Sequence, residues 1–545
     1  LASAGPMDRR RQAAAEVLCD EAFKLKEDHP ASALGWYLAA ARITYPAAIS
    51  SHDDRKPSEL LTLYNHACAI AAELAFLESR GGHSTIEGES PLGTESVSFQ
   101  SDAPHCFDPA DFDNLKVAEL LKVKGYSERE IEPGLGGSLA GHIPSTEERA
   151  AADPFLPNIG MAIPVTATLH FSSDHSAATQ LRLHDVLAKD DAQIGGHDFR
   201  LAADFTAPLA LLETIAPFMK TGRKAMFHPA EFLGTTGLYR IEPFREDKIP
   251  VILVHGLSKT PAVWAEMINE LWADPVIRDH YQFYCFRYPS GFPAAFCASA
   301  LRYRLNELHD FAEAKGASHL QRRMVLVGKS YGGVISSFQV RDSGESLREL
   351  FATKPIDQLD LPENQREALQ SMLHFEANQD IERVVFMVTP HLGTDVADKD
   401  LAKLANKFIR YPFDLVVAGE VHEFNGMTPL AREYINEPPT SMETLRPHSP
   451  VLETVKKMPI RPGITIHSVI GKVGDGPLEE SDDKMVPYWS SHFEPVASET
   501  VVPTKHGDIT HHPDSIREMH RILKLHLEEG SALGSAGRAT SVPKG

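Results

Sequence analysis

Residues Met324–Gly333 read Met-Val-Leu-Val-Gly-Lys-Ser-Tyr-Gly-Gly. An apolar run is followed by a serine that has a glycine two residues away on either side, and a second segment begins after it. The apolar, β-branched run predicts a buried strand, and the residues from Tyr331 onward have the pattern of a helix. Glycines at 328 and 332 leave room for a tight turn in which Ser330 takes up a strained backbone and presents its hydroxyl above a sheet. The segment therefore predicts a strand, a sharp turn and a helix.

Short apolar runs alternate with amphipathic stretches on both sides of this segment. Such alternation predicts an α/β fold with a doubly wound, mostly parallel sheet, which helices cover on both faces. The predicted strands are 249–255, 282–288, 324–328, 384–388, 464–470 and 499–503, and a closing helix is predicted over 513–527.

The N-terminal part has a different pattern. Three stretches with helical periodicity, at about 9–26, 31–50 and 57–80, precede a segment rich in Gly, Ser, Thr and Glu at 81–104. That segment is predicted to be a loop or linker. Extended segments are predicted at 164–171, 199–212 and 237–244.

With 545 residues, the chain exceeds the size at which one hydrophobic core stops growing, so more than one region is expected. We predict an N-terminal helical region with a linker over 1–160, a sheet domain over 161–529 and a disordered tail over 530–545. The spacing between strands breaks at about 341–380 and 395–463, which are too long for simple connections. We interpret them as insertions that cap the sheet, with a helical pattern at 399–408 and an apolar stretch at 413–417.

The composition is ordinary for a folded globular protein, with 42% hydrophobic and 24% charged residues. The formal net charge of −21 argues against DNA, RNA or an anionic membrane surface as a partner. No run of about 18 apolar residues occurs, so the sequence predicts no transmembrane segment.

A serine hydroxyl becomes an effective nucleophile only when a histidine accepts its proton. In sheets with this kind of serine turn, an acid and then the histidine follow the serine along the chain. His506 comes directly after the last predicted strand and is the predicted base. His511 and His512 are alternatives, but they lie beside the start of the closing helix, where capping or packing is expected.

The acid is expected in the loop after the strand predicted at 464–470. Asp483 heads the sequence Asp-Lys-Met-Val-Pro, in which an apolar pair and a proline follow shortly after the aspartate, and it is the predicted acid. Asp482 and Asp475 in the same acidic loop remain alternatives.

The run Val251–Leu257 ends an earlier strand in His-Gly-Leu. The backbone amides of Leu257 and Tyr331 are predicted to bind the negative charge that develops in the reaction, forming an oxyanion hole. His255 is predicted to support the turn, and His391 is predicted to lie near the site after another strand.

These residues resemble the esterase and lipase group of the α/β-hydrolases over about 238–527. The motifs that carry the resemblance are Val254–Leu257, Gly328–Gly333, Thr389–Thr394, Asp483–Pro487 and His506. Upstream residues, including 201–209 and 237–243, are similar to the extended N-terminal part of bacterial hydrolases of this kind. The resemblance implies an α/β-hydrolase with helical cap insertions and an N-terminal helical and β extension. It also implies a serine carboxylesterase without metal or cofactor, often exported to the cell envelope.

Lys329 departs from this family, in which the residue before the serine is usually histidine. Tyr331 likewise stands where Met or Gln is commoner. A lysine beside the nucleophile is expected to tune the pocket electrostatically or to pair with an acidic loop residue.

The predicted function is hydrolysis of carboxylic esters with a hydrophobic acyl or aryl group, through an acyl-enzyme on Ser330. The expected substrate is a small-molecule or lipid ester. Two alternatives stay open: an acyltransferase or thioesterase that uses the same residues, and a non-catalytic interaction protein built on this fold. The expected location is the bacterial cell envelope or the medium after removal of a signal, with the cytoplasm as the alternative.

Overall fold

A computed structural model describes residues 6–50, 58–82, 84–102, 104–172, 178–215, 221–395, 424–436 and 439–539. The chain divides into two compact units. The first comprises Leu1–Pro217 with Trp272–Asp279, and the second comprises Phe218–Leu271 with His280–Gly545.

The first unit begins with three helices, close to the predicted ones: α1 (Pro6–Leu25), α2 (Pro30–Ala48) and α3 (Glu59–Ser79). Ser58 caps α3, because its side chain accepts a hydrogen bond from the amide of Leu61 at 3.2 Å. Among the described residues, α3 alone is long and apolar enough to cross a membrane, and 72% of its apolar window is buried inside the protein. Core helices of globular proteins have the same composition.

The first unit also contains a seven-stranded sheet. Its strand order is β1-β2-β8-β7-β6-β4, and β3 pairs with β8. The strands of the unit are β1 (Thr85–Ser90), β2 (Gly93–Phe99), β3 (Cys106–Phe107), β4 (Asn114–Val117), β5 (Ile131–Glu132), β6 (Gly137–Ile143), β7 (Met161–His170), β8 (Thr179–Asp185), β9 (Asp191–Ile194), β10 (His197–Arg200) and β11 (Ala203–Asp204). Its other helices are α4 (Glu147–Ala152) and α5 (Thr206–Ile215).

Three sequence-based expectations for this region differ from the structure. The predicted linker at 81–104 contains the antiparallel hairpin β1–β2, in which Ser90 pairs with Gly93 across a two-residue turn. The segment predicted to be extended at 199–212 ends in helix α5, whose leucines pack against β6 and β7. The division between the units falls near 217 instead of 160, because β7 and β8 pair within the first sheet.

The second unit is built on a seven-stranded sheet in the order β12-β14-β13-β15-β16-β17-β18. All neighbours are parallel except β12, which pairs with β14 in antiparallel register. The central strands β13 and β15 are buried along their whole length, which explains their continuous apolar sequences. The strands are β12 (Gly237–Arg240), β13 (Ile249–Val254), β14 (Tyr281–Arg287), β15 (Met324–Lys329), β16 (Ile381–Met387), β17 (Thr465–Gly471) and β18 (Ser498–Val502).

Helices connect these strands as the alternating pattern predicted. The labelled helices are α6 (Gly222–Phe227), α7 (Ala265–Ala273), α8 (Pro275–His280), α9 (Ala294–Ala314), α10 (Ser318–Gln321), α11 (Tyr331–Gln339), α12 (Ser346–Phe351) and α13 (Glu363–Leu373). Of these, α8 lies almost wholly in the stretch Trp272–Asp279 that belongs to the first unit. Further helices span Pro429–Asn436, Ser441–Thr444, Pro450–Lys457, Tyr488–Ser491 and Pro513–Ala539.

Both predicted insertions contain helices. Helices α12 and α13 lie within 341–380, and the helices from Pro429 to Lys457 lie within 395–463. The patterns noted at 399–408 and 413–417 fall outside the described residues. The predicted disordered tail from 530 differs from the structure, because the closing helix continues to Ala539.

Candidate active site

Ser330 lies at the sharp turn between β15 and α11. Its backbone has φ 55° and ψ −123°, a strained conformation for a residue with a side chain. The Ser330 amide donates to the carbonyl of Met387 at 2.8 Å, which anchors the turn to the next strand. A Cβ on Gly332 would meet the carbonyl oxygen of Val254 at 2.2 Å. The glycine is therefore required by the close approach of β13.

Two hydrogen bonds join Ser330 to a histidine and an aspartate. The distance from His506 Nε2 to Ser330 Oγ is 2.8 Å. On the other side of the ring, His506 Nδ1 lies 2.7 Å from Asp483 Oδ2. We refer to Ser330, His506 and Asp483 as the triad. All three side chains are buried, so the bonds between them lie away from bulk water.

Asp483 is held in place by a tight turn of its own loop. Its Oδ1 accepts hydrogen bonds from the amides of Met485 at 2.9 Å and Val486 at 2.7 Å. This leaves Oδ2 to face the histidine. The two alternative acids lie elsewhere: Asp482 is exposed and its side chain accepts from the Lys484 amide, while Asp475 is exposed in the loop.

His506 begins a short 3-10 helix that follows β18. Its amide donates to the carbonyl of Asp483 at 2.8 Å, so hydrogen bonds join the backbones of these two residues as well as their side chains. The two alternative histidines lie at the start of the closing helix. There, His512 Nδ1 accepts from the amide of Asp514 at 3.2 Å, a local cap.

The turn after β13 lies directly against the serine. A Cβ on Gly256 would come within 3.0 Å of Ser330 Cβ and 3.5 Å of Ser330 Oγ. The next residue, Leu257, therefore follows a backbone that passes close to Ser330, and its amide has no acceptor among the described residues. Tyr331 is the first residue of α11, so its amide lies at the N-terminal end of that helix.

His255 lies at the start of this turn. Its ring stacks on Tyr288 with centroids 4.4 Å apart, and Nδ1 lies 2.9 Å from the carbonyl of Gly256. The Tyr288 hydroxyl donates to the His255 carbonyl at 2.6 Å. Burial lowers the pKa of His255 to about 4, so the ring is neutral at physiological pH.

His391 lies after β16 and is also buried. Its ring packs against Phe386 and Phe493, and its amide donates to the carbonyl of Ser490 at 2.9 Å. Burial lowers its pKa to about 3. No hydrogen bond joins this ring to the triad in the described part of the chain, so His391 has the environment of a packing residue.

Lys329 precedes the nucleophile and is 2% exposed. Its Nζ donates to the carbonyl of Gly507 at 3.0 Å. Burial, together with the positive charge of Lys259, lowers its pKa from 10.5 to about 7, although the charges of Asp508 and Asp483 oppose the shift. The expected pairing with an acidic loop residue takes a different form, because the hydrogen-bond partner is a carbonyl.

The second unit contains an apolar cavity of ≈ 160 Å³. It is bounded by the start of α9, by α12 and α13, and by the helix Pro429–Asn436. Phe292 connects this cavity to the site, because its carbonyl accepts the hydroxyl of Tyr331 at 2.7 Å. The triad residues are not among those that line it. The Phe-Pro-Ala-Ala-Phe run that begins at Phe292 was not predicted to belong to the site, because its apolar character was the only signal in the sequence.

Three features occur together in the second unit: the sheet order, a serine on a strained turn after a central strand, and a histidine after the last strand. The second unit has the α/β-hydrolase fold. This confirms the predicted fold class, including an N-terminal extension of helices and strands.

Comparisons with known proteins give matches among solved structures. No family model and no curated protein matches the chain. Solved structures that it resembles include the mature lipase BlEst2 of Bacillus licheniformis, at 15% identity and a TM-score of 0.31 over 53% of this chain and 97% of that one.

Two further structures are esterase B of Lactobacillus rhamnosis and phospholipase PlaB of Legionella pneumophila. Esterase B has 13% identity and a TM-score of 0.30 over 55% of this chain and 82% of its own. The phospholipase has 12% identity and a TM-score of 0.31 over 49% and 58%. Similarity at this level carries no argument about the reaction or the substrate.

Proposed function

We propose that this α/β-hydrolase is a serine hydrolase that cleaves carboxylic esters through an acyl-enzyme on Ser330. The observation that carries the proposal is the unbroken pair of hydrogen bonds, 2.8 Å from Ser330 to His506 and 2.7 Å from His506 to Asp483. These distances are within the reach that proton transfer between a nucleophile and a general base requires.

The first half of the reaction is acylation. As Ser330 Oγ attacks the ester carbonyl, its proton passes to His506 Nε2, and Asp483 stabilises the imidazolium that forms. The tetrahedral intermediate collapses when the ester C–O bond breaks, and the alcohol leaves with the proton from His506.

The second half is deacylation. Water attacks the acyl-enzyme and gives its proton to His506, which then returns the proton to Ser330 as the acid is released.

The amides of Leu257 and Tyr331 are proposed to stabilise the oxyanion in both halves. The close contact of Gly256 with Ser330 and the position of Tyr331 at a helix N-terminus support this role. Backbone donors that are already fixed cost no reorganisation when the charge appears.

The substrate is proposed to carry a hydrophobic acyl or aryl group. The apolar cavity beside Phe292 supports this, because burying hydrocarbon releases about 25 cal/mol for each Å² removed from water. Its lining includes aromatic and aliphatic side chains from α9, α13 and the helix Pro429–Asn436.

Hydrolysis of p-nitrophenyl esters with acyl chains from short to long tests the proposal. Wild-type protein is expected to hydrolyse them, and Ser330→Ala is expected to lose this activity. Ser371→Ala is the control, because Ser371 is exposed on α13. Full activity in Ser330→Ala contradicts the mechanism.

Two further measurements separate the alternatives. A fluorophosphonate probe is expected to label the wild type but not Ser330→Ala, whereas a non-catalytic scaffold takes up no label. Product analysis with added alcohol distinguishes a hydrolase, which releases free acid, from an acyltransferase, which forms a new ester.

A further inference from the structure

Lys329 reaches from the strand that carries the nucleophile to the loop that carries the base. It is the last residue of β15, and the carbonyl that it contacts belongs to Gly507, the residue directly after His506. The contact measures 3.0 Å and is almost completely shielded from solvent. One side chain thus links segments that are 178 residues apart in sequence.

The surroundings show that this lysine is not held by an ion pair. No carboxylate lies within salt-bridge distance of its Nζ among the described residues. Four titratable groups interact with its charge: Lys259 from the turn after β13, Asp483 from the acid loop, and Asp508 and His511 from the base loop. Burying an ammonium group without an ion pair is costly, so its place beside the nucleophile calls for a compensating role.

We propose that Lys329 is a positioning residue that fastens the His506 loop to β15 and so keeps His506 Nε2 within reach of Ser330. The inference rests on the proposed function, because it concerns the same triad.

The geometry explains why one hydrogen bond has this effect. Asp483 holds His506 from one side, through the ring and through the backbone amide. Lys329 holds the next carbonyl in the chain from the strand side. Because Gly507 has no side chain that could pack, its carbonyl is the group through which the loop can be fixed from this direction.

Lys329→Met tests the inference, because methionine has a similar length and cannot donate a hydrogen bond. With a p-nitrophenyl ester at pH 8, kcat is expected to fall about tenfold while KM changes less than twofold, since the proposed role of Lys329 is to position His506 and not to bind the substrate. The rate of fluorophosphonate labelling is expected to fall by the same factor, because that reaction reports only the activation of Ser330.

The pH profile provides a readout that general loss of structure does not mimic. Removing a positive charge beside Asp483 and His506 favours the protonated imidazole, so the acid limb of kcat/KM is expected to move to higher pH by about half a unit. Lys505→Met is the matched control, since Lys505 is exposed beside the same histidine. It is expected to retain the wild-type rate and profile.

The outcomes separate this inference from the proposed function. If Ser330→Ala keeps full activity, the proposed function fails whatever Lys329 does. If Ser330→Ala is inactive and Lys329→Met matches the wild type in kcat, labelling rate and pH profile, the inference about Lys329 alone is overturned. Should the methionine variant not fold, Lys329→Gln replaces it, with the same shift of the acid limb expected and an unshifted limb contradicting the inference.

Discussion

Asp483→Asn provides a sharp test of the site, because the structure determines how the new amide must orient. The oxygen in the Oδ1 position accepts hydrogen bonds from two backbone amides, Met485 and Val486, at 2.9 and 2.7 Å. An amide NH₂ group cannot accept these bonds, so the asparagine oxygen takes that position. The NH₂ group then faces His506 Nδ1 and donates to it.

This orientation reverses the role of the histidine. In the wild type, Nδ1 carries the proton that is donated to Asp483, and Nε2 is free to accept the proton of Ser330. In the variant, Nδ1 must accept, so the proton of the neutral ring is on Nε2 and points towards Ser330 Oγ. The base is therefore present but in the wrong tautomer.

The expected loss follows from this tautomer and from the missing charge. A histidine base in the wrong tautomer lowers kcat about 10⁴-fold, or about 5 kcal/mol at 1.36 kcal/mol for each factor of ten. Asparagine and aspartate have nearly the same shape, so KM and the thermal midpoint are expected to change little. The assay is p-nitrophenyl ester hydrolysis, with circular dichroism to compare folding.

Asp482→Asn is the matched control in the adjacent position. Asp482 is exposed and its side chain accepts a hydrogen bond from the local Lys484 amide, so the variant is expected to stay within twofold of the wild type. The reasoning is refuted if Asp483→Asn retains more than a tenth of kcat, or if Asp482→Asn loses as much as Asp483→Asn.

Three further predictions concern the glycine turn, the apolar cavity and the buried lysine. Gly256→Ala is expected to lower kcat at least tenfold in a folded protein, because the new Cβ comes within 3.0 Å of Ser330 Cβ; unchanged kcat would show that the turn moves away freely. Ala431→Phe narrows the cavity that Ala431 lines, so the ratio of octanoate to acetate hydrolysis is expected to fall, whereas an unchanged ratio places the acyl group elsewhere. The pKa of Lys329 falls from 10.5 to about 7 on folding, so the unfolded chain binds more protons between these values and stability rises with pH there. Between pH 7 and pH 9, the free energy of unfolding is therefore expected to rise more in the wild type than in Lys329→Met, by up to about 1.4 kcal/mol for each pH unit. The unfolding midpoints of the two proteins at both pH values measure this difference, and an equal pH dependence argues against a depressed pKa of Lys329.

The sequence determined the parts of the fold that depend on neighbouring residues. The strand, turn and helix around Ser330 follow from an apolar run and two glycines, because a strained turn and a close strand restrict residue type locally. The alternation of apolar and amphipathic segments likewise determined the parallel sheet of the second unit. Because the serine, the acid and the histidine follow one another in a fixed order along the chain, the sequence restricted the candidates for the acid and the base to two short loops.

Tertiary structure was needed wherever distant segments meet. Asp483 and Asp482 are neighbours with the same chemistry, and only the turn made by the Met485 and Val486 amides aims one of them at the histidine. The boundary of the first unit depended on strand pairing, since the same extended sequence can join either sheet.

Lys329 was recognised from the sequence as a departure, but its contact was not. Its partner is the backbone carbonyl of Gly507, and a carbonyl carries no signature in the sequence. Residue types determine which chemistry a segment can perform. Which atoms come within 3 Å of one another depends on how segments far apart along the chain pack, and that is decided by the folded protein alone.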